Sequence, residues 1–172
     1  MTNDPIIILG SARRESKTKS FIKFTFDGLP VKTIDLLDHI VSPYDYEGKY
    51  PDEDSFLKIV EEILEHNIIV FATPVYWYSM SGLMKIFFDR LTDLVTTKKQ
   101  IGRRLKGRST FLIAVGADIT LPDGFEVPFM LTSKYLEMDY TGSVYYSTEA
   151  DKEHIFKCRR EFTDLIQRTI LK

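Results

Sequence analysis

Apolar positions along the chain follow two rhythms. Ile6-Ile7-Ile8-Leu9, Ile68-Ile69-Val70-Phe71-Ala72 and Thr110-Phe111-Leu112-Ile113-Ala114-Val115 are short continuous runs, the pattern of strands covered on both faces. Val31 to Leu36 is a weaker strand candidate, and Asp139 to Tyr146 a fifth, more amphipathic and interrupted by Gly142. Between them the spacing becomes helical. A helix carrying Phe21, Ile22 and Phe24 follows the first strand. A second, with Phe56, Val60, Ile63 and Leu64, begins behind Asp52-Glu53-Asp54, where a helix dipole favours carboxylates, and ends near His66-Asn67. A third carries Leu83, Ile86, Phe87, Leu91 and Leu94, and Met84, Phe88 and Val95 widen its apolar face beyond what one sheet needs. Phe125 to Met138 reads as a helix despite Pro128, and Glu149 to Lys172 as a long closing helix.

Two stretches break this alternation. Asp38 to Pro51 is irregular, punctuated by Pro43, Gly48 and Pro51. Its Tyr44, Tyr46 and Tyr50 read as anchors of a long loop, with a lid as the alternative. Thr96 to Arg108 is a basic connector that reads as a solvated face.

Strands alternating with helices, without repeat or linker, predict an α/β three-layer sandwich spanning residues 1–172 as one domain. Five strands suit the flavodoxin-like order 2-1-3-4-5, a parallel sheet with helices on both faces. That order makes the first, third and fourth strands neighbours. Their carboxyl-end loops, starting at Gly10, Thr73 and Gly116, then meet at the switch point where such sheets bind ligands.

The first loop has the makings of a phosphate cradle. Ser11, Ser16 and Thr18 offer hydroxyls, Arg13 a charged fork, and the helix starting near Ser16 its unpaired amides. Gly10 lets the backbone turn tightly there. Serine and threonine are also ordinary helix caps. The three-glycine dinucleotide fingerprint and the lysine-bearing P-loop are both missing, which disfavours a permanently bound dinucleotide or an ATPase and leaves a monophosphate as the best fit. The second loop, Thr73-Pro74-Val75-Tyr76-Trp77-Tyr78-Ser79-Met80-Ser81-Gly82, sets three adjacent aromatics where a turn is normally small and polar. These rings either cap the core or face a flat ligand, with amides near Ser79 to Gly82 able to stabilise negative charge on a reduced ring. Gly116-Ala117-Asp118 supplies a third, weaker set of backbone groups.

Composition narrows the choice. Hydrophobic residues are 44% and charged residues 28%, with a formal net charge of −2; this is globular, and it argues against a dedicated nucleic-acid binder. No apolar run is long enough to span a bilayer, and the polar Met1 to Pro5 runs straight into a strand, so no membrane partner, no signal peptide and a cytoplasmic location are expected. The single cysteine, Cys158, permits no internal disulfide, cysteine-ligated zinc or iron–sulfur cluster, and is expected to be a small buried apolar group. No metal site is expected. His39, His66 and His154 are scattered and read as surface residues without partners.

Gly10-Ser11-x-Arg13-x-x-Ser16-x-Thr18, the second loop and the following Lys85…Phe88-Asp89-Arg90 together resemble the NAD(P)H-dependent FMN reductases of the flavodoxin-like superfamily, in order over nearly the whole chain. By that resemblance Ser11, Arg13, Ser16 and Thr18 hold the phosphate of non-covalent FMN. Pro74, Val75, Tyr76, Trp77, Tyr78 and Ser79 line its isoalloxazine, and Gly116 and Asp118 lie near the far edge. The implied activity moves hydride from NAD(P)H, as co-substrate, to FMN and on to a small-molecule acceptor such as a quinone, a nitro or azo compound or free flavin. The chemistry belongs to the flavin, so no catalytic side chain is expected, and a homodimer is implied. Iron–sulfur flavoproteins share the second motif, but the region from Asp38 to Pro51 lacks their cysteines; the Arg13-Arg14 pair and mild acidity depart from electron-carrying flavodoxins. The alternatives are an FMN-binding electron carrier and a sensor or interaction module on the same scaffold.

Overall fold

The computed structural model describes residues 2–170. Its sheet has five parallel strands in the order β2-β1-β3-β4-β5: β1 Ile6–Leu9, β2 Lys32–Asp35, β3 Ile68–Pro74, β4 Ser109–Gly116 and β5 Asp139–Ser147. Every residue of β1 and β3 is buried, as strands covered on both faces must be. The register slips between Thr110 and Phe111, whose partners are Tyr140 and Gly142, so Thr141 is the extra residue of a bulge and Gly142 takes its φ of 150°.

The helices are α1 Lys17–Thr25, α2 Phe56–Ile63, α3 Gly82–Arg90, the single turn α4 Lys99–Gly102, α5 Val127–Tyr135 and α6 Lys152–Ile170. One core packs α2, α3 and α5 through Phe56, Met84, Phe87 and Phe129, and the other packs α1 and α6 through Phe21, Phe26 and Phe162. Pro128 sits in the first turn of α5, where its missing N–H has no partner to lose. The expected extension of α6 to Lys172 lies outside the described residues.

Three expectations change. The helix α2 closes at Ile63 rather than near His66, and its first turn holds no acid. Asp54 instead lies ahead of it, accepting from Ser42 N at 2.7 Å and Phe56 N at 3.1 Å and pairing with Arg90 at 2.8 Å. The third helix ends at Arg90 and continues as a 3₁₀ turn over Leu91–Leu94. Its surplus apolar residues are consumed internally: Met84 is fully buried, and the Phe88 ring packs edge-on against Phe71 and Phe129. Exposed apolar side chains gather on α5, at Val127, Met130, Leu131 and Tyr135. The basic connector is only partly solvated, because Arg108 is buried and donates to the carbonyls of Leu64, His66 and Arg104. Burial and the neighbouring Arg104 charge lower its pKa from the usual arginine value.

The strap from Asp38 to α2 is fixed by a buried cluster. The Arg90 guanidinium bonds Asp54, Asp93 at 2.9 Å and the Ser42 carbonyl at 3.1 Å, and lies over the rings of Tyr50 (3.4 Å) and Phe56 (4.6 Å). Tyr50 donates to Asp93 at 3.1 Å. Burial alone would raise the Asp54 carboxyl, but the bonds from Arg90 and the two amides outweigh it and hold it below its ordinary value. Tyr50 is therefore an anchor, whereas Tyr46 is 94% exposed.

Candidate functional site

The carboxyl edge of the sheet opens into a cleft of about 570 Å³. The loop from β1 into α1 brings Arg13, Ser16 and Thr18 to its wall, β3 and its exit bring Pro74, Val75 and Tyr76, and β4 brings Gly116. Seven of the twelve residues singled out from the sequence thus share one cavity. Ser16 is the N-cap of α1, accepting from Lys19 N at 3.1 Å, so the dipole-positive end of that helix faces the cleft. Arg13 is exposed, and Arg14 is diverted to Asp38 at 2.6 Å.

The first two loops are laced together. Ser81 caps α3 by accepting from Met84 N at 3.2 Å, and its hydroxyl donates to Gly10 O at 2.5 Å. Thr73 Oγ1 accepts from Ser81 N at 3.0 Å. Gly10 is required for a reason other than a turn: a Cβ there would lie 2.8 Å from Met84 Cβ and 3.0 Å from Met84 N, so only glycine lets α3 approach β1. At the opposite wall a Cβ on Gly116 would meet the Tyr145 hydroxyl at 2.7 Å. That hydroxyl donates to Asp118 O at 2.7 Å, and burial followed by the Asp118 charge raises its pKa.

The aromatic loop is a tight hairpin. Tyr76 N donates to Ser79 O at 2.9 Å and Ser79 N to Tyr76 O at 3.1 Å, leaving Trp77 and Tyr78 at the tip with φ of 49° and 62°. Two successive left-handed residues form the turn that normally takes Asn-Gly. Aromatic side chains in that conformation are strained. They do not cap the core, because Trp77 is 93% and Tyr78 71% exposed. The Ser79 and Ser81 amides are spent on Tyr76 O and Thr73 Oγ1, which corrects the expectation that they are free to stabilise a reduced ring.

Trp77, Tyr78, Ser79 and Asp118 do not line the cleft, and neither does Ser11, which is buried within the first loop. The Ser11 hydroxyl is buried without a hydrogen-bond partner, an uncompensated state worth about 1–3 kcal/mol. Sequence reasoning missed Thr148, whose amide donates to Gly116 O at 2.8 Å as the chain leaves β5, and which lines the cleft beside Ala117. Its signal was positional: it follows the strand next to β4.

Two of the three histidines, His66 and His154, have hydrogen-bond partners for their side chains. His66 is buried with Nδ1 2.8 Å from Asp4 O. His154 Nε2 accepts from Ser147 N at 3.2 Å and lies 3.4 Å from Cys158 Sγ. Cys158 is buried in α6, and burial followed by the Glu161 charge pushes its thiol up to about 11, the behaviour of a structural rather than a reactive cysteine. Among the described residues no group of three or more His, Cys, Asp or Glu side chains is arranged to hold a metal, and no helix is long and apolar enough to cross a membrane.

Strand order and a cleft at the switch point define a flavodoxin-like protein. Among solved structures, a Trp repressor binding protein from Bacillus subtilis superposes with a TM-score of 0.73 at 20% identity, covering 95% of this chain and 97% of that one. The general stress protein 14 of Treponema denticola, in complex with FMN, gives 0.65 at 20% identity, covering 96% and 98%. The sequence profile of the NADPH-dependent FMN reductases matches residues 6–123, and the chain belongs to that family. A putative NAD(P)H-dependent FMN-containing oxidoreductase, YwqN of Bacillus subtilis (strain 168), is 29% identical over 119 residues. The match covers 65% of this chain and 66% of YwqN, just under two thirds of that relative's length.

Proposed function

We propose that residues 1–172 form one FMN-binding domain that oxidises NAD(P)H and reduces a small-molecule acceptor. The carrying observation is the cleft, with cationic and hydroxyl groups at one end and proline, tyrosine and glycine at the other. Its 570 Å³ falls within the range of about 300–1,000 Å³ usual for small-molecule sites. The donor set fits FMN: Arg13 with the α1 amino end suits a phosphate dianion, and the unpartnered Ser11 hydroxyl gains an acceptor there if the loop over residues 12–15 shifts.

FMN, when bound, supplies two-electron chemistry between a reduced nicotinamide and an acceptor. The chain's own residues bind and orient. Arg13, Ser16 and Thr18 hold the phosphate, Pro74 to Tyr76 give a stiff apolar wall for the ring, and Gly116 closes the other side, its missing Cβ letting the Tyr145 hydroxyl pack against the strand end. Trp77 and Tyr78 at the rim offer flat surface to the entering nicotinamide or acceptor. An acceptor that is itself flat, such as a quinone, a nitro or azo aromatic or free flavin, suits that rim. The same reading has the protein in the cytoplasm as a homodimer, with the exposed α5 residues Met130, Leu131 and Tyr135 as the pairing face.

The test is to load the protein with FMN, remove free flavin and add NADH or NADPH without oxygen. Retained colour that bleaches in seconds is the expected result; a flavin that binds but stays oxidised points to an electron carrier, and a protein that cannot be loaded overturns the assignment. Arg13→Ala removes a charge-assisted bond worth about 1.5–3 kcal/mol, so FMN affinity falls roughly 10- to 150-fold. Its melting temperature stays put, because Arg13 is exposed.

A further inference from the structure

The end of the cleft farthest from the phosphate loop is closed by chain leaving β4 and β5. From the β1 exit, where Arg13 and Ser16 stand, to the β5 exit the sheet runs three strand spacings, about 14 Å. The wall there includes Gly116, Ala117 and Thr148. The carbonyls of the first two already accept, Gly116 O from Thr148 N at 2.8 Å and Ala117 O from Ser147 Oγ at 3.4 Å. The Thr148 hydroxyl is bonded to no group among the described residues, and unlike the Ser11 hydroxyl it is not sealed from solvent. Elsewhere around the cleft, Ser16 Oγ is spent on Lys19 N and Ser20 Oγ on Ser16 O.

A side chain outside the cleft sets where Thr148 stands. Ser147 is fully buried, and β5 is an edge strand, so its outward amide has no neighbouring strand to bond. It donates instead to His154 Nε2 at 3.2 Å, in the first turn of α6. A buried amide left without an acceptor is costly, so this bond fixes the backbone one residue before Thr148. The imidazole is itself held. Its own backbone amide donates to Asp151 Oδ1 at 2.9 Å, its face stacks on Tyr146 at 5.9 Å, and Tyr146 stacks on Phe21 of α1 at 4.9 Å.

Resting on the FMN reading of the cleft, we propose that Thr148 recognises the polar edge of the flavin ring, its hydroxyl accepting from the imide N–H at N3, and that His154 is the positioning residue that holds it there. An isoalloxazine carries its imide at one end and two methyl groups at the other. A free hydroxyl at the end of the cleft opposite the phosphate site rewards only the first, because a ring turned the other way leaves that hydroxyl unpaired against methyls. Of the side-chain and carbonyl acceptors named at this end, the hydroxyl is the one without a donor. The contact therefore selects one orientation of the ring.

The test is equilibrium binding of FMN, followed by flavin fluorescence, to the parent and to Thr148→Val, which keeps the shape of the side chain. Affinity is expected to fall about 2- to 12-fold, the factor one neutral hydrogen bond supplies. For 3-methyl-FMN, which lacks the imide N–H, the two proteins should bind alike. His154→Gln offers Ser147 N a carbonyl oxygen and should match the parent. His154→Leu should lose the same factor as Thr148→Val, and the double variant no more than either. Melting temperatures without flavin separate loss of fold from loss of contact: His154→Leu is expected to lower it and Thr148→Val to leave it in place. A parent that does not bind FMN overturns the reading of the cleft. A parent that binds overturns this proposal alone if Thr148→Val binds FMN equally well, loses as much on 3-methyl-FMN, or if His154→Gln falls as far as His154→Leu.

Discussion

Replacing Trp77 with glycine tests whether the strained hairpin serves the site rather than the fold. At φ 49° a non-glycine residue carries about 1–2 kcal/mol of strain, which glycine relieves. Glycine's greater freedom in the unfolded chain returns about 0.5–1 kcal/mol of that gain. The ring is 93% exposed, so out of about 250 Å² it covers roughly 20 Å², and losing it removes about 0.5 kcal/mol of burial. The sum lies between about −0.5 and +1 kcal/mol, a melting shift of a few degrees at most for a chain this size. Urea denaturation of the flavin-free protein should therefore give Trp77→Gly a midpoint between slightly below and clearly above that of the parent. FMN affinity or the rate of flavin bleaching by NAD(P)H, measured on the same preparations, should fall. A loss of more than about 1.5 kcal/mol would mean that the ring packs against the protein after all, and unchanged flavin behaviour would remove Trp77 from the site.

Substitutions at Arg90 and Gly10 probe what holds the cleft's supports. Arg90→Ala strands Asp54 and Asp93 in a dry environment and should lower stability by about 3–5 kcal/mol, read as a shift of the urea midpoint. Because the Asp54 pKa is depressed in the folded state, its contribution is fully present above the unfolded value near 3.8 and is lost as pH falls through the folded value. With the milder Arg90→Met, burial opposes the two remaining amide bonds and the folded Asp54 pKa rises toward or above its unfolded value, so the acid-side loss of stability contributed by Asp54 should shrink or reverse relative to the parent; a pH profile that falls in parallel with the parent's would refute the linkage. Gly10→Ala forces a Cβ into the backbone of α3 and should cost about 1–3 kcal/mol. Gly82→Ala is the control: its Cβ meets nothing within 4 Å, and its melting temperature should not fall.

The architecture was legible because the two periodicities are clean. Ile6 to Leu9 and Ile68 to Ala72 are short, β-branched and apolar at every position, as a strand buried on both faces is, and the strand count then selected the order 2-1-3-4-5. Boundaries were less so. The end of α2 was misplaced by a few residues because Leu64 continues the apolar spacing into the C-cap, where it is buried without being helical. The surplus apolar residues on α3 show a related limit: spacing reports which positions are buried, not what buries them, and Phe88 is covered by Phe129, some forty positions later.

The same limit shaped the reading of the site. Loops that leave adjacent strands at one edge must converge, so Arg13, Ser16, Thr18, Pro74 to Tyr76 and Gly116 could be gathered from topology alone. Hydrogen bonds that cross between loops carry no sequence period. That Ser81 links α3 to Gly10, or that its amide is taken by Thr73, depends on coordinates set by the whole sheet. Arg90 shows the difference most sharply. In the sequence it enters only as the end of the Lys85…Phe88-Asp89-Arg90 motif, with no signal of burial; in the fold it is 1% exposed, clamped between Tyr50 and Phe56 and bonded to two aspartates. A guanidinium tolerates that position only because its planar fork meets both carboxylates and a carbonyl at once. Its partners come from positions 42, 54 and 93, so the strap before α2 and the turn after α3 are fastened to one side chain. A single cation thus holds in place the helix whose cap, Ser81, is tied to Gly10 at the end of β1, and loss of Arg90 should loosen α3 at the end remote from Ser81 before it disturbs the Ser81–Gly10 tie at the other.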